Sequence, residues 1–173
     1  MNTTPEETFE IERRFLVSPD FNPLKDMNTN IIKLERIHQG FLNVDPAKVI
    51  RVRIVDDLSR FNLCITAFLT VKGKNEGIKR REIEESISVA GAKAYLEHFS
   101  VGNIIEKVRY SILQDGMIWE VDFFESHNLG LRIAEVELKT EDQQIIIPSW
   151  VREEISTDFR YSNVSLSQYP RSS

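Results

Sequence analysis

The 173-residue sequence predicts a mainly β (α+β) fold, an eight-stranded antiparallel β-barrel with helices packed outside it. Three observations carry this expectation. Short runs alternate apolar with charged or polar residues, turn residues separate those runs, and a single stretch has clear helical spacing. Alternate side chains of an extended chain share a face, so each run has an apolar side and an ionic side.

The first strand is expected over 8–17. Within it the stretch FEIERRFLV places Glu10, Glu12 and Arg14 on one side and Ile11, Arg13 and Phe15 on the other. Further runs of strand character cover 36–43, 49–55, 65–72, 79–87, 105–113, 117–124, 132–139 and 153–157. The connections carry turn chemistry at Ser18-Pro19-Asp20, Asp56-Asp57, Gly73-Lys74-Asn75, Asp115-Gly116 and His127-Asn128. Asp115-Gly116, between two alternating runs, is a hairpin signal. A helix is expected over 89–99, where Ala92, Tyr95, Leu96 and Phe99 recur at helical spacing. A second helix is expected in 140–152, which opens with acids suited to a helix N-terminus but runs into Ile145–Ile147 and Pro148. The Ser-rich tail from Tyr161 reads as poorly ordered. One domain spanning 1–173, with its core over about 8–166, fits this length.

Composition narrows the function classes. With 41% hydrophobic and 28% charged residues the chain reads as soluble and globular. A net charge of -5 argues against a protein that coats nucleic acid. Cys64 is the only cysteine, so no internal disulfide forms. The N-terminal MNTTPEETFE has no apolar core of a signal peptide, and nowhere do about 18 uncharged apolar residues run together. No membrane partner is expected, and a cytoplasmic location is the default.

The ionic faces are more informative. Acidic pairs two residues apart are Glu10/Glu12, Glu82/Glu84, Glu120/Asp122 and Glu135/Glu137; basic pairs are Arg51/Arg53 and Lys107/Arg109, with Arg14 and Lys72 at the ends of their runs. Such side chains lie about 6.6 Å apart. At that spacing like charges repel by about 0.6 kcal/mol in water and about 2.5 kcal/mol at an effective dielectric near 20. Any single pair suits a solvated sheet face. The set does not, because a solvated face is relieved by mixing signs, whereas here acids and bases segregate strand by strand. The opposite faces are apolar, as in Ile50, Val52 and Ile54, or Trp119, Val121 and Phe123. A barrel with a wet, charged lumen and an apolar exterior, covered by helices or a partner subunit, accounts for both. Bases in such a lumen call for a polyanion, and carboxylates call for metal ions. Without a Cys/His cluster the carboxylates specify a hard ion, Mg²⁺ or Mn²⁺ before Ca²⁺. His38, His98 and His127 are scattered and read as structural or surface residues. A polyanion that binds such ions is most simply a polyphosphate chain.

The segments Glu10-Ile-Glu12-Arg-Arg14, Gln39-Gly-Phe-Leu42, Arg51-Val-Arg53, Leu69-Thr-Val-Lys-Gly73, Arg81-Glu-Ile-Glu84, Glu106-Lys-Val-Arg-Tyr110, Trp119-Glu-Val-Asp122, Ala134-Glu-Val-Glu-Leu138 and Asp158-Phe-Arg-Tyr-Ser-Asn163 follow one another over 9–163. In that order they resemble the CYTH family of triphosphate tunnel metalloenzymes, which includes bacterial inorganic triphosphatases, thiamine triphosphatases and class IV adenylyl cyclases. The resemblance implies an eight-stranded tunnel in which Arg51, Arg53, Lys72, Lys107 and Arg109 grip phosphate oxygens. It implies Glu10, Glu12 and Arg14 as the catalytic signature, and Glu10, Glu12, Glu120, Asp122, Glu135 and Glu137 as ligands of Mg²⁺ or Mn²⁺. Glu82 and Glu84 match a further acidic strand, and Asp158 and Arg160 either close the tunnel or form a structural ion pair.

Two departures from the family pattern stand out. Arg14 replaces the signature's lysine, and Phe41 lacks the hydroxyl of the usual tyrosine. The activity implied is hydrolysis of inorganic tripolyphosphate to pyrophosphate and orthophosphate. The alternatives are a class IV-type adenylyl cyclase, a thiamine triphosphatase, or a non-catalytic module that binds polyphosphate. Such a module would gain little from so many carboxylates, whose repulsion of the ligand only metal relieves. No P-loop is present, since Gly73-Lys74 lacks the preceding glycine spacing and a following Ser or Thr. The outer apolar faces exceed what two helices cover, and a homodimer is the expectation for that excess.

Overall fold

The computed structural model describes residues 7–26, 28–43, 45, 48–76 and 79–171, the side chains of 7–10, 75, 76, 79 and 80 excepted. Each alternating run meets a strand, with the run expected at 36–43 starting earlier and that at 153–157 ending at 154: β1 (Glu7–Val17), β2 (Ile31–Phe41), β3 (Val49–Asp57), β4 (Ile65–Glu76), β5 (Lys79–Ser86), β6 (Val101–Gln114), β7 (Met117–Phe124), β8 (Arg132–Glu137) and β9 (Val151–Glu154). Among the described residues two helices, α1 (Val89–Phe99) and α2 (Asn163–Gln168), complete it with 3-10 turns at Ser126–Asn128 and Phe159–Tyr161. Among the described residues no helix is long and apolar enough to cross a membrane.

All pairings are antiparallel, in the order β5-β4-β3-β2-β6-β7-β8-β1-β9, with a further ladder between β5 and β1. The 11-residue β1 serves three neighbours: β5 along Glu7–Ile11, β8 along Glu12–Leu16, and β9 at Phe15 and Val17. The expectation of an eight-stranded barrel is therefore corrected. Among the described residues there are nine strands, and the sheet as a whole is not a closed barrel, because β9 remains an edge hung on β1.

Local chemistry explains the connections. Asp115 and Gly116 both take positive φ, 51° and 76°, which a two-residue turn between twisted strands requires. The expected helix over 89–99 forms as α1, with the Ser88 hydroxyl accepting from Gly91 N at 3.0 Å. The helix expected in 140–152 is absent. Its isoleucines and Pro148 instead lead an extended segment to Trp150, which stacks on Phe21 at 4.7 Å between ring centres. Within the tail expected to be poorly ordered, Asn163–Gln168 is helical: the Ser162 hydroxyl accepts from Ser165 N at 3.1 Å and caps α2, which buries Val164 and Leu166, while 172 and 173 lie outside the described residues.

The apolar exterior is covered in two ways. Over β3 and β4, Val52 and Ala67 pack under Ala92 and Leu96 of α1. Over β1, β6, β7 and β8, a cluster of Phe15, Ile112, Trp119, Val121, Ala134 and Val136 lies beneath Phe21 and Trp150, so loop segments do the covering there rather than helices.

A third cluster was not anticipated. Leu16, Phe41, Val49, Ile105, Phe124 and Ile133 occupy the same alternate positions as Arg14, Gln39, Arg51, Lys107, Asp122 and Glu135, yet they are apolar and pack with Ile155, Val164 and Leu166. At one end of six strands the charged face thus turns into an apolar floor, sealed by the C-terminal elements.

Candidate active site

Above this floor lies a cavity of about 950 Å³, to which each of β1–β8 contributes side chains. Glu12 and Arg14 come from β1, Gln39 from β2, Arg51 and Arg53 from β3, Lys72 and Lys74 from β4, Glu82 and Glu84 from β5, Lys107 and Arg109 from β6, Glu120 from β7, and Glu135 and Glu137 from β8. Strand alternation is what delivers them, since every one is an even step from its neighbour along the same strand.

The bases fall into two groups. On β3–β5, Glu84 accepts from Arg53 at 3.1 and 3.2 Å and from Arg51 at 3.3 Å, while the buried Thr70 hydroxyl donates to it at 2.7 Å. Burial pushes the Glu84 carboxyl up, but Arg53, Thr70 and Arg51 together hold it below its ordinary value. Lys72 pairs with Glu82 at 2.6 Å. On β6–β8, Asp122 accepts from Lys107 at 2.5 Å and from Arg109 Nε and Nη2 at 2.7 Å each. Arg109 also donates to Glu120 and, at 2.7 Å, to Glu135. Burial alone would raise the Asp122 carboxyl, yet Arg109 and Lys107 bring it down to about 2.

The acids form facing pairs. Glu12 lies opposite Glu137 in the β1–β8 ladder, and Glu120 lies opposite Glu135 in the β7–β8 ladder. Like charges directly across a ladder repel. Burial is the main reason the Glu120 carboxyl is raised; Arg109 opposes that, and Glu135 and Asp122 add to it. Among the described residues no three Asp, Glu, His or Cys side chains meet as a ready-made metal cage. The facing pairs nonetheless offer carboxylate oxygens alone, the donor chemistry that suits a hard divalent cation.

The structure brings together on the cavity wall Glu12, Arg14, Arg51, Arg53, Lys72, Glu82, Glu84, Lys107, Arg109, Glu120, Glu135 and Glu137. Asp122 is not on that wall; at 1% exposure it lies beneath the bases and fixes them. Asp158 and Arg160 are also off the wall, paired with each other at 2.6 Å, with Arg160 exposed. The Glu10 backbone pairs with Arg80, and its side chain lies outside the described residues. Arg14 reaches backward: its guanidinium donates to Ser156 O at 3.3 Å and Tyr161 O at 3.4 Å, and lies 3.7 Å from Glu12. Gln39, Lys74, Ser156, Thr157, Ser162 and Asn163 also line the cavity, and sequence reasoning did not single them out as site residues. Lys74 could have been found by alternation from Lys72, whereas the 156–163 segment reaches the site only through tertiary packing.

The profile of the CYTH domain matches residues 8–172. Over 161 residues the chain is 37% identical to an inorganic triphosphatase of Acetivibrio thermocellus, covering 93% of this chain and 94% of that protein. It is 34% identical over 160 residues to an inorganic triphosphatase of Nitrosomonas europaea, covering 91% and 95%. A crystal structure of an inorganic triphosphatase superposes with a TM-score of 0.61 at 32% identity, over 91% of this chain and 93% of the other. A Pyrococcus horikoshii protein, 21% identical, shares the fold with a TM-score of 0.56 over 77% of this chain and 80% of its own.

Proposed function

The chain belongs to the CYTH domain family, and from that premise we propose that it hydrolyses inorganic tripolyphosphate to pyrophosphate and orthophosphate, with Mg²⁺ or Mn²⁺ as the metal. The observation that most supports this reading is the cavity itself, in which Arg and Lys residues from β3, β4 and β6 and facing glutamate pairs from β1, β7 and β8 share one wall. We also read β1–β8 as a ring that the β1–β5 ladder joins, giving the tunnel its wall, with β9 as an addition to it.

In this reading Arg51, Arg53 and Lys72 hold phosphate oxygens from one side and Lys107 and Arg109 from the other. Arginine's planar fork matches two oxygens at once; in Arg109 the Nε–Nη2 edge is held by Asp122, which fixes the guanidinium, and the Nη1–Nη2 edge, bonded to Glu120 and Glu135, is the one that would meet phosphate. Glu12 with Glu137, and Glu120 with Glu135, would hold the divalent cation, joined by Glu10 through its place in the family signature. Bound there, the ion supplies charge neutralisation and polarisation of the phosphoryl oxygens. Water attacks the terminal phosphorus, its proton passes to a cavity carboxylate, and the bond to the bridging oxygen breaks to leave pyrophosphate on the bases. Catalysis is then mostly positioning and electrostatics, which this wall is built to provide.

Comparing kcat/KM for tripolyphosphate, thiamine triphosphate and ATP, with phosphate, pyrophosphate and cyclic nucleotide resolved as products, tests the reading. Tripolyphosphate is expected to be the best substrate. Cyclic AMP and pyrophosphate from ATP would replace hydrolysis with cyclisation.

A further inference from the structure

We propose that Gln39 is a substrate contact, its side-chain amide donating a hydrogen bond to an oxygen of the phosphoryl group seated beside Arg51 and Arg53 at the floor of the cavity. This rests on the triphosphatase reading and deepens it. Gln39 is 1% exposed and lines the cavity, and its Nε2 donor is buried without an acceptor among the described residues. An unpaired buried amide is costly, and such a group persists where a ligand or water completes it.

The neighbours point to an anion. Arg53 is the cross-strand partner of Gln39, and both Arg53 and Arg51 keep a buried Nε donor without an acceptor among the described residues. Three unmet N–H groups therefore adjoin on cavity-facing positions of β2 and β3. Glu84 occupies other nitrogens of both arginines, so the remaining demand at this corner is for oxygen acceptors carrying negative charge.

Gln39 stands where the cavity meets its floor. The next cavity-facing residue on β2 is Phe41, and the partner of Gln39 on β6 is Ile105, both members of the apolar floor. Gln39 is the last cavity-facing polar residue of β2 before that floor, as Arg51 is on β3, and an ionic chain end has no favourable position beyond them. The terminal amide torsion is broad and soft, so swinging its N–H toward the cavity needs no backbone change.

The test uses Gln39→Leu and Gln39→Met, reading KM and kcat for tripolyphosphate, its Kd by calorimetry in EDTA, and the thermal midpoint. The contact predicts that KM and Kd rise about tenfold or more, the scale of a lost charge-assisted hydrogen bond. It also predicts a thermal midpoint no lower than the wild type's, because an apolar side chain replaces an unpaired amide. Kd within about twofold of wild type in both variants, or weaker binding only alongside lost thermal stability, overturns the proposal. If the wild type binds tripolyphosphate without hydrolysing it, the hydrolase reading fails while the Kd difference still supports the Gln39 contact. A wild type that neither binds it in EDTA nor binds or hydrolyses it with Mg²⁺ overturns both.

Discussion

Asp122 grips Arg109 through two 2.7 Å hydrogen bonds behind the bases of the cavity wall, and the same carboxylate takes a 2.5 Å bond from Lys107. Both cations are almost wholly buried, so their carboxylate partner holds them in place as well as neutralising them. Asp122→Asn leaves two buried charges short of a partner and is expected to cost about 3–5 kcal/mol. Urea unfolding at pH 7 measures this.

The same carboxylate sets a pH dependence. Its folded value of about 2 lies below the ordinary 3.8, so its contribution is complete above about pH 4 and is lost as the pH falls toward 2. The contribution is about 2 kcal/mol. Denaturant midpoints between pH 5 and pH 2 are expected to fall more steeply for the wild type than for Asp122→Asn, and parallel curves would contradict the ion pair.

Glu137 faces Glu12 across the β1–β8 ladder, and removing one charge relieves their repulsion. Glu137→Gln is expected to raise stability in EDTA by up to about 1 kcal/mol while weakening the activating ion. Thermal melts in EDTA and an activation titration with Mg²⁺ check the two halves together. A melt lowered in EDTA would show that no such repulsion exists.

Arg14 spans two carbonyls of the C-terminal segment, and its own carbonyl accepts from Ile155 N at 2.8 Å. Lysine, a single ammonium on a flexible stem, does not reproduce that fork. Arg14→Lys should therefore speed amide exchange over 155–168 severalfold, with smaller changes in β2 and β3. Unchanged exchange in that segment would limit Arg14 to the cavity.

Thr70 is fully buried and donates to Glu84, the carboxylate shared by Arg51 and Arg53. Thr70→Val removes that bond at about 1 kcal/mol of stability. Because the two arginines then lose their fixed aim, KM for tripolyphosphate is expected to rise more than kcat falls. A change confined to stability would make Thr70 a packing residue only.

Much of this was legible in the alternation. The spacing of Arg51 and Arg53, and of Glu135 and Glu137, placed like charges on one face, and the charged faces do share one cavity. Asp115-Gly116 marked its hairpin because few residues accept that backbone. The floor was not legible, because Ile105 and Phe124 alternate in step with Lys107 and Asp122, and only the register of neighbouring strands shows that they meet. Asp122 looked like any cavity acid for the same reason. The helical tail was hidden by its serines, which read as disorder until Ser162 is seen capping a turn that buries Leu166. In 140–152 acids at the start suggested a helix, but no apolar stripe followed to hold one against the sheet.

Phosphorus NMR of purified protein with tripolyphosphate, in Mg²⁺ and again in EDTA, tests the central claim most directly. Equal amounts of orthophosphate and pyrophosphate appearing with Mg²⁺ and stopping in EDTA are the predicted result. Tripolyphosphate left intact with Mg²⁺, or consumed at the same rate in EDTA, would contradict it.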